Sequence, residues 1–308
     1  MIDILLASYN SKNYISKQID SIINQDMDNW RLLIRDGGSC DQTLEIVASY
    51  CSKYPDKIQL IQSKGKSCTK SNFSKLIQAS SAPYIMFSDH DDIWLNDKVS
   101  KSFAKMRETE EAVKKDTPIL VFTDKYVINK NKAIIAESCF CYQSLQPAKI
   151  KLNKLLVQNI PSGCTMLINR VLLELAAPVP DTEVMHDHWI SLVAAAFGHI
   201  VYLDESTLLY RQYAGNIFGA SEYGIKYLIR KALTGRKALK NRFLQDVNQA
   251  AAFLERYEKE LTADQITFLA DFVKLKNCST FKAWRVLFKH RIFKHGFMRN
   301  LGVFLLFI

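Results

Sequence analysis

The feature that most constrains this chain is the rhythm of its first 125 residues, where short apolar runs ending in polar clusters alternate with helical periodicity. That alternation is the pattern of βα units laid into a mostly parallel sheet, an α/β fold. Residues 2–7 form an apolar run too short for a helix, and it stops at Ser8-Tyr9-Asn10. Ile15, Ile19, Ile22 and Ile23 then recur at i, i+4, i+7 and i+8, one stripe of a helix. Residues 30–34 predict a second strand, closed by Asp36-Gly37-Gly38-Ser39. Asp41 is placed to N-cap a helix whose stripe is Leu44, Val47, Ala48 and Cys51. Residues 58–61 read as a third strand, and Phe73, Leu76 and Ile77 mark the next helix. Residues 84–87 read as a fourth strand, running into Ser88-Asp89-His90-Asp91-Asp92. Polar clusters thus follow strands one, two and four. In open α/β sheets that edge is where ligands bind, so the pattern predicts a nucleotide site.

Residues 117–220 read as mixed, with strand-like runs at 119–122 and 201–203 and a helical run at 190–197. Beyond Gly219 the pattern is helical, with Arg and Lys interleaved among Tyr, Leu and Phe. The charge changes at the same place. Residues 1–220 hold 24 basic and 24 acidic residues, whereas 221–308 hold 17 and 7, so the net charge of +10 comes from the C-terminal part. We therefore expect a body at 1–220, divided near 125, and a basic helical extension at 221–308. No acidic residue follows Asp271.

A neutral body with a basic tail implies an anionic contact. Cations mixed with aromatic and leucine side chains after Lys282 fit a helix lying on an anionic leaflet. Packing of an apolar helix face on the body, or on a second copy, is the alternative. Nucleic acid is disfavoured as a partner because no nucleic-acid-binding motif accompanies the charge. No run approaches the roughly 18 apolar residues of a membrane span. The opening Met1-Ile2-Asp3 lacks a basic n-region, which argues against a signal peptide. Seven scattered cysteines, with no zinc-like spacing at Cys139-Phe140-Cys141, read as reduced thiols of a cytoplasmic protein.

Three carboxylates within Asp89-His90-Asp91-Asp92, at the end of a buried strand, repel one another unless a cation is present. Hard oxygen ligands suit Mg²⁺ or Mn²⁺. The competing reading is a solvated acidic turn that caps the helix after Asn96. Asp36 precedes two glycines that let backbone approach a ligand, or it is a simple turn residue. His186-Asp187-His188 is a poor metal site, because successive residues of a regular element cannot all face one ion.

Taken together, the motifs resemble family 2 glycosyltransferases of the GT-A fold, with a Rossmann-like, mostly parallel central sheet flanked by helices. The resemblance runs through Ser8-Tyr9-Asn10, Gln18-Ile19-Asp20-Ser21-Ile22, Arg35-Asp36-Gly37-Gly38-Ser39 and Ser88-Asp89-His90-Asp91-Asp92-Ile93-Trp94. It continues in Pro161-Ser162-Gly163-Cys164, Met185-His186-Asp187-His188-Trp189 and Tyr210-Arg211-Gln212, with Asn216 and Gly219. The set is most similar to rhamnosyltransferases of bacterial cell-wall and capsular polysaccharide synthesis.

The resemblance implies a nucleotide-sugar half at 1–125 and an acceptor half at 126–220. It implies Ser8, Tyr9, Asn10 and Asp36 at a pyrimidine base, whose N3–H a carboxylate accepts. Asn72 and Arg211 would complete the donor site, with Asp89 near ribose and metal. Asp91 would be the main ligand of Mg²⁺ or Mn²⁺. Asp92, Trp94, Gly163 and His186 would line the sugar and acceptor side. Asp187 would be the catalytic base of an inverting transfer.

The implied activity is transfer of L-rhamnose from dTDP-L-rhamnose to a lipid-linked saccharide, at the inner face of the cell membrane. The alternatives are a UDP-hexose donor on the same fold, and a non-catalytic nucleotide-sugar-binding subunit. Four positions depart from the family pattern. Tyr213 stands where a His is usual, Gly37 for a second Asp, Cys68 for a Gly and Ser71 for a basic residue, with Lys66 or Lys70 placed to compensate.

Overall fold

A computed structural model describes residues 1–62, 65–180, 185–213, 220, 222–223, 236–296 and 299–300. Strand β1 (Ile2–Ser8) is buried along its whole length. It pairs in parallel with β2 (Trp30–Asp36) on one side and β4 (Tyr84–Asp89) on the other, and β3 (Ile58–Leu60) extends the sheet beyond β2. Largely apolar runs suit these strands because helices cover both faces, and the buried Asp3 of β1 is paired with Arg31 of β2. Ile2, Ile4 and Leu6 face one core, with Ile15, Ile19 and Ile22 of α1 (Ile15–Ile23) and Val47 of α2 (Thr43–Lys53). Leu5 and Ala7 face the other, with Phe73, Leu76 and Ile77 of α3 (Thr69–Ala79).

The second half begins with β5 (Ile93–Trp94), α4 (Lys98–Ala112), β6 (Ile119–Asn129) and β7 (Ile134–Ala136). Short helices α5 (Cys139–Tyr142) and α6 (Leu152–Leu155) lead to β8 (Met166–Asn169) and α7 (Arg170–Ala176). Then come α8 (His186–Phe197) and the long β9 (His199–Gln212). The sheet order is β3-β2-β1-β4-β8-β6-β9-β5, with β7 on the edge of β6. The β3-β2-β1-β4 half is parallel. β8 enters antiparallel to both β4 and β6, while β6 and β9 run parallel.

Helices α9 (Arg236–Tyr257), α10 (Ala263–Val273) and α11 (Thr280–Lys289) follow. They close over the α3 and α8 face and share its core, through Phe243, Val247, Phe253, Phe272 and Leu287. The Trp189 ring of α8 lies 5.5 Å from Phe253 and 6.0 Å from Tyr257. In the described part of the basic extension, one apolar face of these helices is therefore packed on the body. A capping box of Thr262 and Gln265 starts α10.

Three local expectations are corrected. Asp41 is not the N-cap of α2; Gln42 takes that place, while the Asp41 carboxylate accepts the Thr43 N–H from one residue further back. Leu44 is exposed, and Thr43 with Val47 forms the buried face. Finally, β6 and β9 run well past the apolar stretches at 119–122 and 201–203. The boundary at 220, with Asn216 and Gly219 before it, falls where only isolated residues are described; Asn216, Gly219 and residues 301–308 lie outside the described residues.

Candidate active site

Parallel register sets the site. Ser8 pairs with Asp36 and Ala7 with Asp89, so three polar clusters leave adjacent strands at one edge. Asp36 is buried and held on all sides. Ser8 Oγ donates to its Oδ2 at 2.8 Å and Ser39 Oγ at 2.7 Å, while the N–H groups of Gly38 and Ser39 donate to Oδ1. Asn10, at φ 45°, stitches the first cluster to the second: its N–H donates to Ser39 Oγ, and its Oδ1 accepts the Cys40 N–H. Tyr9 projects into solvent beside them. The chain has Gly at 37 because there is no room for more. A Cβ there would lie 2.9 Å from the Ser67 carbonyl oxygen and 3.1 Å from Asn72 Nδ2. Asn72 itself is buried against this loop, and its Oδ1 has no hydrogen-bond partner.

The acidic loop is crowded with charge. Burial, then the Asp91 charge, pushes the Asp89 carboxyl up to about 6, and Asp187 adds to the same repulsion. Asp92 is buried with no N–H or O–H donor on either oxygen, only the Cys164 thiol against it, and burial, then Asp91 and Asp89, drives its carboxyl well above the usual range. Among the described residues, the one His, Cys, Asp and Glu group close enough to share an ion is Asp89, Asp92 and Cys164, with ligand atoms within 4.8 Å. Asp91 lies outside that group, and the Tyr213 hydroxyl hydrogen-bonds its carboxylate. The residue in the usual His position thus contacts the expected metal ligand as a donor. Burial raises the Tyr213 hydroxyl above its ordinary range, so it stays protonated. Burial likewise keeps the Cys164 thiol protonated, and a thiol is a soft partner for a hard ion. The orphaned carboxylate oxygens and their mutual repulsion fit a divalent cation held by Asp89 with Asp91 or Asp92.

Two lysines, which sequence reasoning missed, lie beneath this loop. Lys98 Nζ reaches Thr207 Oγ1 at 3.3 Å and sits 4.9 Å over the Trp94 ring; burial drops its ammonium to about 8. Lys125 Nζ donates to Ser162 Oγ at 3.0 Å and lies 3.8 Å over the Tyr210 ring. Burial opposes its charge, but Cys164, Tyr210 and Asp92 around it raise its affinity for the proton. A lysine inside a strand run carries no sequence signal of such a role.

Two expected site residues sit behind the pocket wall. Trp94 is buried in the core with Ile4, Met86 and Leu208. Arg211 is 2% exposed and donates through Nε to the Asp91 carbonyl at 3.0 Å and through Nη1 to the Lys130 carbonyl at 3.3 Å. It braces the acidic loop from behind.

Asp187 stands in the first turn of α8, where helix N–H groups favour an anion. Gly163 N–H donates to its Oδ2 at 3.1 Å and His188 N–H to its Oδ1 at 2.7 Å. Burial holds the carboxyl above its ordinary range despite these two donors. Gly163 approaches so closely that a Cβ would lie 3.1 Å from His186 Nε2. His186 is 4% exposed, with its ring 4.0 Å from Phe73 and 4.8 Å from Phe87, and both ring nitrogens lack partners. Burial drops its imidazolium to about 3, so the ring is neutral. The His188 ring turns away, to the Leu155 carbonyl. The two histidines therefore do not join Asp187 in one cluster.

The profile of Glycosyl transferase family 2 matches residues 3–175. A UDP-Glc:alpha-D-GlcNAc-diphosphoundecaprenol beta-1,3-glucosyltransferase, WfgD of Escherichia coli, is 28% identical over 174 residues, 56% of this chain and 62% of that protein. The match thus spans less than two thirds of that relative's length. The dTDP-rhamnosyl transferase RfbG of Shigella flexneri is 26% identical over 230 residues, 70% of this chain and 74% of the relative. Among solved structures, S. aureus TarS 1-349 in complex with UDP-GlcNAc superposes with a TM-score of 0.58 at 14% identity, covering 94% of this chain and 72% of that one. That likeness is one of fold.

Proposed function

Because the chain belongs to glycosyl transferase family 2, we propose that it transfers L-rhamnose from dTDP-L-rhamnose to a lipid-linked saccharide, with inversion, in bacterial cell-wall or capsular polysaccharide synthesis. One observation supports the reading: Asp187 lies near enough to the acidic loop for its charge to raise the Asp89 carboxyl, and His186 beside it packs on Phe87, two residues before Asp89. The loop of Ser8, Asn10 and Asp36 receives the pyrimidine base, whose N3–H takes the place of one of the two hydroxyl donors, Ser8 or Ser39, on the Asp36 carboxylate. Asp89 with Asp91 or Asp92 would hold a divalent ion, which when bound would supply positive charge against the departing nucleoside diphosphate. Asp187 takes the proton of the acceptor hydroxyl as that oxygen bonds to the anomeric carbon. The bond from that carbon to the diphosphate oxygen breaks on the opposite face. Gly163 and His188 aim the Asp187 carboxylate, and neutral His186 offers a hydrogen bond toward the sugar.

Rhamnose is favoured because the likeness to the dTDP-rhamnosyl transferase extends into the acceptor half, over 70% of this chain. The second reading, a UDP-hexose donor, is favoured by the glucosyltransferase relative. The lipid-linked acceptor follows the diphosphoundecaprenol acceptor in that relative's name, and with such an acceptor the enzyme would work at the inner membrane face. Among the described residues, no helix is long and apolar enough to cross a membrane.

Nucleotide release from a panel of dTDP- and UDP-sugars, with Mn²⁺ or Mg²⁺ and then with EDTA, tests the reading. Metal-dependent release of dTDP from dTDP-rhamnose is expected. Release from a UDP-hexose alone would replace the sugar and keep the chemistry. Binding of no nucleotide-sugar at all would end the enzyme reading.

A further inference from the structure

Two long stretches of this chain, 138–173 and 272–308, contain no acidic residue at all. Far apart in sequence, their described parts are clamped together. Asn153 Nδ2 donates to the carbonyls of His290 at 2.9 Å and Arg291 at 3.0 Å. His295 N–H donates to Gln158 Oε1 at 2.7 Å, and Gln146 N–H to His295 Nδ1 at 3.1 Å. Between the two stretches opens a groove of about 780 Å³, lined by Lys149, Lys151, Lys154, Arg291, Lys294 and Phe288, with no acidic group on its described walls. His295 beside it feels this field: burial, then Lys154, Arg299 and Lys149, drops its imidazolium to about 4.

Helix α11 forms one rim and shows two characters. Ala283 and Leu287 face the core, fully buried. Phe281 and Phe288, seven residues apart on one stripe, are 76% and 60% exposed. The Phe288 ring meets Phe293 at 5.3 Å, yet most of both outward rings stays open to solvent. Cations beside an outward aromatic pair are the pattern of a helix that lies in a lipid–water interface.

We propose that the face built from α11 and the 146–154 segment docks on an anionic phospholipid bilayer. Phe281 and Phe288 enter the headgroup–acyl boundary, and the groove cations seat phospholipid phosphates. Charge complementarity selects this occupant, because a groove of five cations without a carboxylate repels another copy of a basic chain. The docking rests on the lipid-linked-acceptor reading and gives it geometry. The groove wall α6 carries the Leu155 carbonyl that holds the His188 ring, and the Lys294 charge acts on that ring. His188 adjoins Asp187, so the docked face and the base are linked through the first turn of α8.

Co-sedimentation of the full chain tests this, with phosphatidylcholine vesicles and with vesicles containing one third phosphatidylglycerol, at about 0.1 M and about 1 M salt. We expect partition onto the anionic vesicles about tenfold above the neutral ones, lost at high salt. Phe281→Ser with Phe288→Ser should weaken partition about tenfold. Lys149→Gln with Lys151→Gln and Arg291→Gln should abolish the preference for phosphatidylglycerol. Both variants should keep the wild-type thermal transition and nucleotide-sugar affinity. Equal partition onto both vesicles, or variants that bind like wild type, would overturn the proposal. So would binding that requires a polyprenyl diphosphate in the vesicle, or a Phe variant that alters only self-association. Vesicle partition needs no turnover, so its failure is separate from failure of the donor assay.

Discussion

Asp187 is held by two backbone donors, Gly163 N–H on Oδ2 and His188 N–H on Oδ1. Asn at this position would keep the shape and one acceptor but lose the basicity. Asp187→Asn should therefore lower kcat by about 10² to 10⁴ while leaving the donor KM within a few-fold, as steady-state kinetics would show. Loss of donor binding instead would mean that Asp187 serves the nucleotide. The pH profile gives an independent check. A general base acts only when ionised, and burial holds this carboxyl above its ordinary range. The acid limb of kcat must then lie at higher pH than the roughly 3.9 of a solvated Asp, with activity falling as pH drops through the raised value. An acid limb at the solvated value would contradict the assignment.

At the scale of elements, β6 joins the two halves of the site, and Lys125 is the joint. Its Nζ holds Ser162 Oγ, the next residue's N–H holds Asp187, and its charge faces Asp92. Removing one partner of a buried charge group leaves the other uncompensated. Lys125→Met should cost about tenfold to a hundredfold in kcat and shift the acid limb upward, because Asp187 loses a nearby cation that favours its ionised form. Lys125→Arg should restore much of that limb; a limb unmoved in the Met variant would reduce Lys125 to a packing role. The same strand shows where the sequence stops being legible. Strands β1, β2 and β4 could be read because burial on both faces writes largely apolar runs, and their polar ends marked Ser8, Asp36 and Asp89. β6 continues through Thr123, Asp124 and Lys125, and β9 through Asp204 and Glu205, so each reads as ended where it is only half done. β8 and the folding of α9 to α11 onto α8 are long-range pairings with no local signature. Trp94 and Arg211 were legible as residues of the motif, but which side of the pocket wall they occupy depends on the register of β5 and β9.

For the whole molecule, the acidic loop couples stability to pH and to metal. Asp89, raised to about 6, and Asp92, held well above its ordinary range, bind protons more tightly in the folded chain than in the unfolded one. Wherever the folded state binds more protons, stability falls as pH rises. The metal-free protein should therefore lose stability as pH climbs from about 4 to about 6 through Asp89, and on to higher pH through Asp92. A divalent ion takes the place of the protons and should reverse the trend, because its affinity depends on the ionised carboxylates. At about 100 times its Kd, such a ligand adds about 2.7 kcal/mol. That corresponds to a gain of several degrees in Tm, at about 2–4 °C per kcal/mol for chains approaching this size. Thermal unfolding with and without Mn²⁺ should show a larger gain at pH 8 than at pH 5. Asp89→Asn should abolish most of that gain and raise the metal-free Tm at pH 8, since it removes the repulsion that the ion relieves. A gain equal at both pH values and kept in Asp89→Asn would place the ion elsewhere. The repulsion within this loop would then be eased by the protein's own groups, Lys125 among them.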